Sequence, residues 1–155
     1  MFSGLGDFEG LWQLVRRIEQ DDAPDADLRG TATLHPNEAG MSYREAGRLR
    51  VGDHPPINAE RRYIWRSRPG GVIEVLFEDG RPFHRIDPDD PQDRHWCDPD
   101  MYAVSYDFSA WPDWSSTWQV RGPRKSYRMV SEYRRTLSDP SHGLTALHQA
   151  KGRLS

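Results

Sequence analysis

Phe77-Glu78-Asp79-Gly80-Arg81-Pro82-Phe83-His84 is the stretch on which the reading of the fold turns. Asp-Gly between two apolar runs is the strongest short-range sign of a β-hairpin, because both central residues of a type I′ turn need a positive φ. With Asp79 and Gly80 as a two-residue turn, Glu78 pairs with Arg81, Phe77 with Pro82, Leu76 with Phe83 and Val75 with His84. Side chains alternate between the two faces of a strand. Ile73, Val75, Phe77, Pro82, His84 and Ile86 therefore share one face, and Val72, Glu74, Leu76, Phe83 and Arg85 the other. The first face is the more apolar, so it points inward and takes His84 with it. Pro82 removes no bond inside this hairpin, but it denies a donor to whatever lies on its far side. That predicts a bulge or a local opening there.

Outward from the hairpin, the same short alternating segments recur. Upstream, Gly10 to Ile18 sets Trp12, Leu14, Arg16 and Ile18 on one face, and Gly30 to Leu34 is a β-branched second strand. Met41 to Leu49 places Met41, Tyr43, Glu45 and Leu49 together, so one carboxylate rides on a buried face. Ile57, Ala59, Arg61, Tyr63 and Trp65 form the inner face of the next strand. Downstream, His95 and Cys97 lie on a short strand, and Tyr102, Val104, Tyr106 and Phe108 share a face. Two last strands, Ser116 to Val120 and Ser126 to Arg134, flank Gly122-Pro123, with Tyr127, Met129, Ser131 and Tyr133 aligned.

Short strands with turn signals at regular spacing mean a sandwich or a barrel. Short links between consecutive strands favour an up-and-down meander, and closing it removes exposed edges. The expected fold is all-β: a single antiparallel up-and-down barrel of about 8–10 strands. The barrel domain is expected over residues 8–137, with a C-terminal tail over 138–155 that is a short helix or frayed.

The 155 residues suffice for one domain with a sizeable core. Charges of both signs are interspersed and nearly cancel at −3, which excludes a basic stripe for nucleic acid. No apolar run approaches membrane-spanning length, and the first residues carry no signal-peptide pattern. One cysteine excludes an internal disulfide and points to a reducing cytoplasm. A homodimer is compatible with these numbers.

Six Trp, six Tyr and five Phe make an aromatic chain in which the inward polar residues stand out. Arg16, Glu45, Arg61 and His84 fall on inner faces with the hydroxyls of Tyr43, Tyr63, Tyr102 and Tyr127. A buried charge needs a partner, so an Arg–Glu–Arg network could satisfy these groups without any ligand. The functional alternative is a cavity in which an Arg grips a carboxylate or phosphate between aromatic walls. Lys125 shares the parity of Tyr127 and either points inward or snorkels to solvent.

His95, Cys97 and His84 could offer metal ligands, yet no His-x-x-x-His or paired-Cys motif supports a metal. Asp98-Pro99-Asp100 caps a turn, and Asp100 could orient His84 or His95 as an acid–base pair. Trp111-Pro112-Asp113-Trp114 is read as a lid over one barrel end and, compatibly with that, as an aromatic rim that contacts a ligand or partner.

Gly10-Leu11-Trp12 resembles the Gly-x-Trp signature of calycin-like barrels, in which Trp closes the bottom. Five further blocks are Tyr43-x-Glu45-x-Gly47, Arg62-Tyr63-x-Trp65, Asp79-Gly80-Arg81-Pro82-Phe83-His84, Cys97-x-Pro99-Asp100-x-Tyr102 and Gly122-Pro123-x-Lys125-x-Tyr127. Together they resemble an uncharacterised bacterial and fungal family of unknown function, over about residues 8–136. That family's His…Cys-x-x-Asp-x-Tyr block corresponds to His95, Cys97, Asp100 and Tyr102. The resemblance implies a calycin-type barrel and no established activity. Unlike lipocalins, the chain lacks disulfides, and unlike intracellular fatty-acid binders it lacks a helix pair after the first strand. Haem-binding nitrobindin-like barrels match in size, without an axial His that can be aligned.

The expected function is therefore binding of a small anionic or aromatic ligand in the barrel. The candidate residues are Arg16, Tyr43, Glu45, Arg61, Tyr63, His84, His95, Cys97, Asp100, Tyr102, Lys125 and Tyr127. The partner is a small molecule, with no nucleic acid or membrane, and no cofactor or metal is assigned. An acid–base enzyme, a haem or metal barrel and a protein-interaction module are the alternatives.

Overall fold

The protein is described by a computed structural model over residues 1–136; the predicted tail and residue 137 lie outside these. A short 3-10 turn over Leu5–Phe8 leads into β1 (Gly10–Gln20), β2 (Ala26–Asn37), β3 (Gly40–Val51), β4 (Ile57–Ser67) and β5 (Ile73–Phe77). β6 (Pro82–Ile86), β7 (Gln92–Cys97), β8 (Asp100–Asp107), β9 (Trp114–Arg121) and β10 (Ser126–Arg135) follow. In space the ten strands run β6-β5-β4-β3-β2-β1-β10-β9-β8-β7. Every paired neighbour is antiparallel. This is the expected up-and-down barrel. β10 returns to pair with β1, and the ends of the sheet, β6 and β7, face each other.

Alternation is the local cause. In β1, Trp12, Leu14 and Arg16 are buried while Gln13, Val15 and Arg17 are exposed. In β9, Trp114, Ser116, Trp118 and Val120 point inward, and in β10 Met129, Ser131 and Tyr133 do so. Because each strand reverses the last, the β2–β3, β4–β5, β6–β7 and β8–β9 loops gather at one end, and the other connections at the opposite end.

The first end is sealed by rings. Phe8 meets Trp111 at 5.0 Å and Trp114 at 5.4 Å edge-on, and Phe2 meets Phe108 at 4.8 Å. Such edge-to-face pairs suit the ring quadrupoles and add about 0.5–1.5 kcal/mol each beyond burial. Trp12 is fully buried and donates its Nε1–H to the Phe8 carbonyl at 2.9 Å. The Arg135 guanidinium lies 4.0 Å above the Trp12 ring and donates to the carbonyls of Glu9 and Asp7. The Trp111–Trp114 loop thus packs as a lid over this end.

The hairpin differs from its sequence reading at the tip. Gly80 N–H donates to the Phe77 carbonyl and Phe77 N–H to the Arg81 carbonyl, both at 2.8 Å, so the loop has three residues. Only Gly80 adopts a positive φ, at 92°. Asp79 serves instead as an acceptor, taking Arg81 N–H at 3.0 Å and Arg81 Nε at 2.7 Å. Asp-Gly therefore marked the turn, but through side-chain capping. The register then slips between Val75 and Leu76: Val75 faces His84 as expected, whereas Leu76 faces Pro82. Phe83 is the extra residue of a bulge. Alternation fails there, and both His84 and Phe83 turn inward, correcting the outward placement of Phe83.

Pro82 lies on an edge strand, and the opening it predicted is real. Among the described residues no backbone ladder joins β6 to β7. The seam is held by Arg85 N–H donating to Asp93 Oδ2 at 2.7 Å, and by the His95 ring against Phe83 at 5.2 Å and Phe77 at 5.8 Å.

Gly80→Ala meets no neighbour, so its cost is backbone strain alone; urea unfolding should show a loss of about 1–2 kcal/mol. In native-state hydrogen exchange, the amides of β6 and β7 should exchange well before those of β1, β2 and β10.

Candidate functional site

Above the aromatic seal the barrel is hollow. A cavity of about 740 Å³ runs from its middle toward the opposite end, within the range of small-molecule sites. The fold brings to it every residue proposed from the sequence except Asp100: Arg16, Tyr43, Glu45, Arg61, Tyr63, His84, His95, Cys97, Tyr102, Lys125 and Tyr127. Asp100 does not line it.

At the floor, Arg16 of β1 and Glu45 of β3 form a bidentate pair at 2.8 and 2.6 Å, and Arg16 Nε donates to Ser131 Oγ of β10 at 2.7 Å. Tyr43 donates to Glu45 Oε2 at 2.6 Å, and the hydroxyls of Tyr43 and Tyr133 meet at 2.9 Å. With the Tyr43 proton committed to Glu45, Tyr133 is the donor to Tyr43. Burial opposes the charge on Arg16, but the hydrogen bonds and charge of Glu45 outweigh it and raise its pKa. Burial likewise pushes Glu45 up, while Arg16, Tyr43 and the more distant Arg61 hold it below the usual carboxylate range. Burial pushes Tyr133 up to about 12. The floor is a satisfied, neutral network that needs no ligand, as the structural reading of Arg16 and Glu45 allowed.

On the seam side, His84 Nε2 lies 2.8 Å from the Tyr106 hydroxyl. Tyr106 has no other acceptor among the described residues, so its O–H donates to Nε2 and the ring proton sits on Nδ1. Nδ1 is buried and has no described partner. Burial lowers the His84 pKa to about 3, with the nearby Asp93 charge working against that shift. His84 is therefore neutral at physiological pH.

One wall is a run of nearly parallel rings centred on the bulge. Phe83 stacks on Phe77 at 4.5 Å, on Trp118 at 5.1 Å and on Tyr63 at 5.7 Å. Phe83, Trp118, Tyr106 and Tyr133 were absent from the candidate set. Parity alone would have added the two tyrosines and Trp118, whereas Phe83 depends on the bulge.

At the mouth, Lys125 Nζ donates to the Tyr102 hydroxyl at 3.2 Å and pairs with Asp100 at 3.4 Å. The hydrogen bond to Tyr102 and the nearby Asp100 raise its pKa. Asp100 can lie there because Gly122 has no side chain: a Cβ would overlap its carboxylate. Asp100 thus serves Lys125 and neither histidine, which removes the orienting carboxylate from the acid–base alternative. Cys97 is exposed at the rim. Among the described residues no group of three His, Cys, Asp or Glu could hold a metal, so His84, His95 and Cys97 do not form the conceivable ligand set.

Removing one member of the buried floor pair leaves an unpaired charge. Glu45→Ala should cost about 3–5 kcal/mol in urea unfolding, while Arg16→Met with Glu45→Leu should recover most of that loss. His84 gives a separate signature. Below its ordinary value near 6.5 the unfolded chain takes up a proton there, while the folded chain does not until about pH 3. Its contribution is therefore complete above 6.5 and declines as pH falls toward 3. Between pH 7 and pH 5 the wild type should lose about 2 kcal/mol more stability than His84→Gln.

No curated protein matches the sequence. Among solved structures, the chain is similar to an S-type phycobiliprotein lyase, CPES, from Guillardia theta. The TM-score is 0.54 and the identity 11%, over 86% of this chain and 93% of that one. At this identity the likeness concerns the fold alone. No helix among the described residues is long and apolar enough to cross a membrane. Residues 8–135, almost the whole barrel, match the Family of unknown function (DUF6314), and the chain belongs to that family.

Proposed function

We propose that this protein is a small-molecule-binding barrel whose interior holds an anionic or aromatic ligand. The observation that carries this is the cavity of about 740 Å³ beside the Phe77–Phe83–Trp118 wall. Burying rings against solvent there would leave a space that only a ligand or water can occupy, and flat ligands gain most from such a wall. The charges at the floor are already compensated, so Arg16 and Glu45 act as a scaffold lining the cavity. Arg61, Tyr63, Tyr102, Lys125 and Tyr127 are the groups left to meet a ligand. The likeness to a phycobiliprotein lyase concerns the fold, and no chemistry is carried over from it. Trp12 at the sealed end beneath Arg135 supports the calycin-type assignment, and the lone exposed Cys97 suits a reducing compartment.

Native mass spectrometry of gently purified protein should show a bound small molecule or uptake of an aromatic probe such as anilinonaphthalene sulfonate. Met129→Trp places an indole inside the cavity. It should weaken probe binding at least tenfold while the melting temperature stays within a few degrees. Equal binding by both proteins would put the probe outside the barrel and overturn the proposal.

A further inference from the structure

The cavity's charges divide by depth. Of the cations that line it, Arg16 is engaged by Glu45, Arg81 by Asp79 and Lys125 by Asp100. Arg61 makes no hydrogen bond or ion pair with any described residue. It sits on β4 two residues before Tyr63, with inward parity, yet it remains exposed at the rim. The Tyr127 hydroxyl lies within electrostatic reach of Arg61, Lys125, Tyr102 and Tyr63. Tyr63 and Tyr127 have no described acceptor for their protons, and Tyr102, which accepts from Lys125, still has its own proton to give. The mouth therefore offers one guanidinium whose donors make no hydrogen bond or ion pair with a described residue, a second cation shared with Asp100, and phenolic donors. The interior offers the neutral floor, neutral His84 and flat rings.

Resting on the ligand-binding reading above, we propose that the ligand is a planar aromatic monoanion, bound with its single carboxylate or sulfonate at the mouth on Arg61 and its ring inward against Phe83. One guanidinium with uncommitted donors at the rim matches one oxyanion. A second anionic group carried inward would lose its hydration without gaining a cation, because Arg16 is already paired. Arg61 supplies two parallel N–H donors for an oxyanion, and Lys125 with the phenols completes the clamp.

The test uses one ring in three charge states: 2-naphthoate, 2-naphthamide and 2,6-naphthalenedicarboxylate, titrated by calorimetry into the full-length protein and into Arg61→Gln. Arg61 makes no hydrogen bond or ion pair with a described residue, so the substitution breaks none of the floor's bonds. Naphthoate should bind at least tenfold tighter than both the amide and the dicarboxylate. Arg61→Gln should abolish the preference for naphthoate over the amide while the amide affinity stays within about twofold. If all three bind alike, or the dicarboxylate binds tightest, or Arg61→Gln weakens acid and amide equally, the monoanion assignment fails while the ligand-binding reading stands. If no ring compound binds, the ligand-binding reading fails and this assignment falls with it.

Discussion

The bidentate contact between Arg16 and Glu45 is the constraint on which the barrel's interior depends. Neither charge tolerates burial alone, since an unpaired buried ion costs several kcal/mol. Their pairing at 2.8 and 2.6 Å, with Ser131 on Nε and Tyr43 on the carboxylate, ties β1, β3 and β10 across the barrel. These strands are held side by side by backbone ladders through β2 and β1; the polar network adds a cross-brace inside. A brace of side chains leaves room that a packed apolar core would fill. The barrel can stay hollow in its middle because its polar atoms there satisfy one another.

Hollowness also relies on the far end being closed. Phe2, Phe8, Trp12, Trp111 and Trp114 provide apolar burial in a plug, so the strands need not collapse onto each other. The plug and the brace divide the labour. Rings exclude water at the sealed end, and hydrogen-bonded charges hold shape above it.

The seam between β6 and β7 is the weakest joint of the wall, and the cavity's aromatic face is built beside it. Pro82 and the bulge at Phe83 prevent a regular ladder, and the same bulge rotates Phe83 inward to stack with Trp118. A loss of backbone pairing and a gain in cavity surface come from one irregularity. Bulges often re-aim a side chain in this way.

Much of this barrel is legible in the chain itself. Two-residue alternation, as in Trp12-Leu14-Arg16 and Tyr127-Met129-Ser131-Tyr133, encodes which face is inward, because strand geometry leaves a side chain only two directions. That periodicity also announced that Arg16, Glu45 and His84 would enter the barrel, and short turns announced the meander. Alternation is silent about distance. Only the tertiary structure decided that Glu45 would bind Arg16 and leave Arg61 uncommitted, since the pairing depends on strand register across β2 and β1. It decided that Asp100 would hold Lys125 in place of a histidine, because Gly122 on a neighbouring hairpin makes the space. And it decided the fate of Phe83: a bulge breaks the period on which sequence reasoning rests, so no local pattern could have placed that ring inside.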